Sequence, residues 1–241
     1  MVAVFAFVVV PFMSCVTCLP ITSHDTRGVE RLPYGNNPYQ ASTDKRSLCF
    51  ANYRWQAVEP LQVDWLIIQF NRWFADKNTI LVRGQHEPEY FAPTDTDPAK
   101  IVFAHGFFAS SLHEISHWCV AGKRRRQQND FGYWYAPDGR SAEQQQAFEQ
   151  VEIVPQAIEC LLTLMCARRF RVSQDNLFAD FDTSASSFAE DVSAQAQAFW
   201  LTGEKLPTDA KTLLRELQVL RPFPLTACEI GKNFYQKKAV G

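Results

Sequence analysis

From Leu61 to Phe74 apolar side chains recur at helical spacing (Leu61, Trp65, Ile68, Phe70, Trp73) with polar residues between them, which predicts an amphipathic helix. Ile80-Leu81-Val82 and Glu89-Tyr90-Phe91 lie on either side of a turn at Gly84 and read as short strands. Pro93 to Pro98, with Asp and Thr alternating, is a loop, and Ile101-Val102-Phe103-Ala104 is a short buried strand. Leu112, Ile115 and Cys119 then form the apolar stripe of a helix that Ser110 or Ser111 can cap and Gly122 with Lys123 can stop. Pro137-Asp138-Gly139 is a turn. Ser141 and Gln144 make a capping box for a helix running to about Gln150. Pro155 suits the first turn of a separate helix through Ile158, Leu161, Leu162 and Met165, with the backbone at 152–154 extended before it. Further helices are expected at about 185–202 and 208–219. The fold class is α+β, mainly helical with a small sheet.

The chain ends follow other rules. Residues 2–22 carry no charge, and Val2 to Met13 are apolar throughout. A signal peptide would want a basic start, yet no Lys or Arg precedes Arg27. A membrane helix would be interrupted at Pro11 and Pro20. Residues 23–60 are polar and aperiodic, as in Tyr34-Gly35-Asn36-Asn37-Pro38. The expected organisation is a poorly ordered leader over 1–59, either dispensable or the product of a mis-called start, a catalytic domain over 60–225, and a C-terminal tail over 226–241.

Composition narrows the function classes. A chain of 241 residues can bury a full core. A formal charge of −2 argues against direct nucleic-acid binding. The seven cysteines form no paired framework. Cys119, Cys160 and Cys166 fall in helical apolar patterns, where free cysteine behaves as a small hydrophobe. That usage suits a reducing compartment, and a cytoplasmic protein with no membrane partner is expected. Cys15-Val16-Thr17-Cys18 lacks the second pair or βαβ setting that a zinc or redox motif needs.

The candidate chemistry is His113-Glu114-Ile115-Ser116-His117, an HExxH array. On a helix both imidazoles share one face and can reach one metal ion. A third ligand must come from elsewhere. His24 lies in the leader and His86 in a polar turn, whereas His105, just ahead of the helix, suits a hydrogen bond to a ligand better than ligation. Glu149, Glu152 and Glu159 are better placed, and spacing alone does not choose among them. Two histidines and a glutamate support two chemistries. With zinc, Glu114 would be the general base of a metallopeptidase; with iron(II), open positions remain for dioxygen and substrate.

The surrounding segments favour the second. Phe103-Ala104-His105-Gly106-Phe107, His113 to Cys119, Asp130-Phe131-Gly132-Tyr133-Trp134-Tyr135, Pro137 to Arg140, Phe148 to Glu152 and Pro155-Gln156-Ala157 closely resemble the bacterial elongation factor P hydroxylase family. The likeness runs in register from about Leu61 to about Leu220. It implies a metal-dependent protein-lysine hydroxylase with a zincin-like metal helix. The substrate would be elongation factor P carrying a β-lysylated lysine. His113, His117 and Glu152 would be the metal ligands, with Glu149 the rival to Glu152, and Glu114 an acid/base group beside them. Fe(2+) would be the metal, with Zn(2+) an acceptable substitute, and dioxygen the co-substrate. No GxGxxG loop points to an electron donor. The aromatic run Phe131 to Tyr135 is either a channel wall for the aliphatic stem or a strand on the core. Lys123 to Arg126 reads as a solvated helix end, or as a docking patch for an acidic partner.

Overall fold

A computed structural model of the chain describes residues 59–132, 139–176, 180–181, 186–221 and 223–235. The expected leader, apart from its last residue, and the segment Tyr133 to Asp138 lie outside the described residues. Within them the fold is α+β, mainly helical with a three-stranded sheet. In chain order the elements are α1 (Glu59–Trp73), β1 (Thr79–Arg83), β2 (Glu89–Phe91), β3 (Ala99–Phe103), α2 (Phe108–Arg125), α3 (Ala142–Met165), α4 (Phe188–Thr202), α5 (Thr208–Leu217) and α6 (Ala227–Tyr235). Helix α6, with Ile230 fully buried, packs against α4 and α3.

The sheet order is β1-β3-β2, with β1 parallel and β2 antiparallel to β3. Alternation sends Leu81, Ile101 and Phe103 into the core. Both sheet edges are covered by side chains. On the β1 edge, Asn71 of α1 accepts from Leu81 N at 2.7 Å and donates to Leu81 O at 3.5 Å. On the β2 edge, Asp130 and Asn129 accept from the backbone N–H groups of Tyr90 and Ala92 at 3.0 and 2.9 Å. Backbone donors that could otherwise recruit another strand are thereby satisfied.

Three local expectations are corrected. Ser110 and Ser111 do not cap α2 but lie inside it. Ser110 Oγ accepts from Ala104 N at 2.9 Å, and Ser111 Oγ donates to Phe108 O at 2.6 Å. The N–H of Phe108 is instead satisfied by Glu59 of α1 at 3.0 Å. Second, the helix expected to end near Gln150 and the one expected to begin at Pro155 are one helix, α3, with Pro155 in its interior. Proline there removes the bond its nitrogen would give to Val151 O, a cost of about 3 kcal/mol. Burial offsets it, since every residue from Pro155 to Cys166 is buried and α3 is the central helix between α2 and α4. Third, Arg126 is not part of a solvated end. It is buried, its guanidinium lies 3.5 Å from the Trp118 ring centroid, and it pairs with Asp209 of α5 at 2.7 Å. Lys123 and Arg124 are exposed as expected. Gly122 does end the regular helix: its φ of 65° lies in the left-handed region that glycine adopts without a Cβ penalty.

Candidate metal centre

Helix α2 leaves the sheet through the turn at Ala104–Gly106, and its apolar residues Leu112, Ile115 and Cys119 turn into the core. This fixes the opposite edge of the helix, with His113 and His117, toward α3. The four-residue spacing brings His113 Nε2 and His117 Nε2 to 3.1 Å, with the rings edge to face. Two ring nitrogens that close must share a proton or a cation, because two lone pairs would repel.

Helix α3 supplies the carboxylate. Glu152 Oε1 lies 3.3 Å from His117 Nε2, and Oε2 lies 3.8 Å from His113 Nε2. Ligand atoms of His113, His117 and Glu152 all fall within 4.8 Å of one another. An ion bonded at roughly 2.1 Å holds its ligands about 3.0–3.4 Å apart, so these donors fit a small divalent cation. Glu152 is almost wholly buried. Gln156, one turn on, donates to Glu152 Oε2 at 3.4 Å and also to Ser173 O at 2.7 Å, while accepting from Ser173 N.

The other glutamates separate by position. Glu149 is buried among Gln145, Gln174 and Ser186, which all donate to it. It is not among the three convergent residues. Glu159 lies 2.8 Å from His113 Nδ1, on the ring edge away from His117. His105, expected to bond a ligand, is exposed, with its ring against Phe107. Glu114 is half-buried and, among the described residues, accepts no hydrogen bond.

The cluster's titratable groups act strongly on one another. Burial would lower the pKa of His113, yet the Glu159 hydrogen bond and the charges of Glu159, Glu114 and Glu152 hold it up at about 10. Burial would raise Glu152, but His117, His113 and Gln156 draw it down to about 2. Burial raises Glu114 above the ordinary carboxylate range, and the two histidines only partly oppose this. A metal ion there would offset the charge of Glu152 and Glu159 beside the two imidazoles.

Residues 69–226, which include every member of this cluster, match the elongation factor P hydroxylase family. The chain belongs to that family. Similarity to the elongation factor P lysine hydroxylase of Haemophilus influenzae is 45% identity over 154 residues, covering 63% of this chain and 85% of the relative. The family span runs from within α1 to the residue before α6 and takes in the whole sheet.

Sequence reasoning does not single out Gln156 and leaves Glu159 among the candidate third ligands. Both become legible once α3 is continuous, because residues 152, 156 and 159 then share one helical face. Of the aromatic run, Phe131 is buried and stacks on Tyr90 with centroids 4.0 Å apart. It packs in the core, while Tyr133 to Tyr135 lie outside the described residues.

Proposed function

We propose that this chain hydroxylates the β-lysylated lysine side chain of elongation factor P, using iron(II) held by His113, His117 and Glu152. The carrying observation is the convergence of these three donors, from two helices, inside the span of the family match. Iron(II) held by these two histidines and one carboxylate would supply dioxygen activation and oxidation of an unactivated C–H bond. One oxygen atom enters that bond and the other leaves as water, so two electrons come from an external donor.

The chain's own groups have definable tasks. Gln156 fixes the carboxylate of Glu152 by bridging it to the backbone at Ser173. Glu114 is beside the ligands with a carboxyl whose pKa burial raises, suited to give or take a proton there. We assign the protein to the cytoplasm, in keeping with its buried free thiols at Cys119, Cys160 and Cys166. Among the described residues no helix is long and apolar enough to cross a membrane.

The test is to incubate iron-loaded protein with β-lysylated elongation factor P, dioxygen and a reductant, then weigh the modified peptide. A gain of one oxygen atom is expected. No gain with metal bound sinks the reading, and a cleaved substrate would favour the zinc peptidase that the same donors allow. Glu114→Gln should keep its metal and lose about 10²–10⁴-fold in hydroxylation rate, measured in single turnover.

A further inference from the structure

His113 has two ring nitrogens and only one can face the ligand cluster. Its Nε2 lies 3.1 Å from His117 Nε2 and 3.8 Å from Glu152 Oε2, so that edge faces the cluster. The opposite edge, Nδ1, lies 2.8 Å from Glu159 Oε2. A carboxylate beyond the far edge of the ring cannot share an ion with Nε2, which removes Glu159 as a ligand to that ion. Yet it is largely buried, its side chain only 11% exposed, and among the described residues its partner is His113. Its place on α3 is set by register: Glu152 and Glu159 are seven residues apart, two turns, and share a face. One helix thus offers both a ligand and the group that aims another ligand.

We propose that Glu159 is a positioning residue of the metal centre: it accepts the Nδ1–H of His113 and so leaves the Nε2 lone pair free for the ion. This rests on the metal-site reading above. Of the two histidines His113 has the more to gain from a tether, its side chain being 29% exposed against 12% for His117. A carboxylate partner also makes the imidazole a stronger donor, and loss of such a partner typically weakens metal affinity about 10–100-fold.

The experiment measures zinc(II) affinity of the full chain by chelator competition, alongside the visible absorption of the cobalt(II)-loaded protein. Parent, Glu159→Gln and Glu159→Ala are compared. Glu159→Ala should bind zinc up to about 100-fold more weakly and shift the cobalt spectrum. Glu159→Gln keeps an acceptor for Nδ1–H and should recover part of that loss, staying within about tenfold of the parent. Should Glu159→Ala fail to fold, Glu159→Gln still decides, because loss of the charge alone must lower affinity and move the spectrum. Parent-like affinity and spectrum in a folded Glu159 variant would overturn the assignment and leave the metal site standing. A parent protein that binds neither zinc nor cobalt would overturn the metal site itself, and the assignment with it.

Discussion

Helix α2 and the residue that ends it carry two charged clusters that are built on opposite principles. Toward its C-terminal end Arg126 stacks on Trp118, donates to Trp118 O at 2.9 Å and pairs with Asp209. Trp118 in turn meets Phe70 and Phe74 edge-on. There positive and negative charge are matched by the chain itself, inside an aromatic shell. On the side facing α3, Glu114, Glu152 and Glu159 gather around His113 and His117. Among the described residues these carboxylates have as hydrogen-bond partners only the two histidines and Gln156. The first cluster is closed and ties α2 to α5. The second gathers carboxylates around two imidazoles without a matching guanidinium, and on the proposed reading a cation from outside would complete it.

The comparison breaks most sharply at the ligands. His117→Ala should reduce metal content after desalting to background and abolish hydroxylation, while leaving the Arg126–Asp209 pair intact. The variant also leaves buried Glu152 without its nearest partner and should lose stability in urea unfolding, so metal content is compared in the folded protein. Parent-like metal content in this variant would show that the open cluster is not the metal centre. The closed cluster should respond in the opposite sense. Arg126→Met removes the buried guanidinium and leaves half-buried Asp209 with Lys77 at 3.9 Å, and should cost about 1.5–3 kcal/mol in urea unfolding, with zinc affinity unchanged in the folded protein. If metal affinity falls in step with stability, the two clusters are coupled and the contrast fails.

How legible each cluster was in the sequence follows from the range of its contacts. His113 and His117 announce themselves, because their spacing is helical and HExxH has few other uses. Strands at 79–83, 89–91 and 99–103 were also readable, since β-branched and aromatic runs between turns are local signals. Arg126 was read as solvated because its partner, Asp209, is 83 positions away and on another helix. Pro155 caused the larger error. Proline is normally a boundary, and only the burial of the whole segment from Pro155 to Cys166 lets the helix run through it. With α3 divided, Glu149, Glu152 and Glu159 fell on different elements and could not be ranked. On one helix they have distinct neighbours: Glu149 the Gln145–Gln174–Ser186 network, Glu152 the histidine Nε2 atoms, and Glu159 the far edge of His113.

Continuity of α3 also gives the smallest and cleanest test of the contrast. Its N-terminus is held by a reciprocal capping box: Ser141 Oγ accepts from Gln144 N at 3.4 Å, and Gln144 Oε1 accepts from Ser141 N at 2.9 Å. This cap is exposed and lies three helical turns before Glu152, so it touches neither cluster. Ser141→Ala should therefore cost about 1 kcal/mol of stability in urea unfolding and leave both zinc affinity and hydroxylation rate at parental values. A helix frayed at its start still holds Glu152, Gln156 and Glu159 in register, because their segment is anchored by the buried residues from Pro155 onward. Weaker metal binding in Ser141→Ala would mean instead that the site reads the stability of the whole helix. The open cluster would then be no more independent of the fold than the closed one.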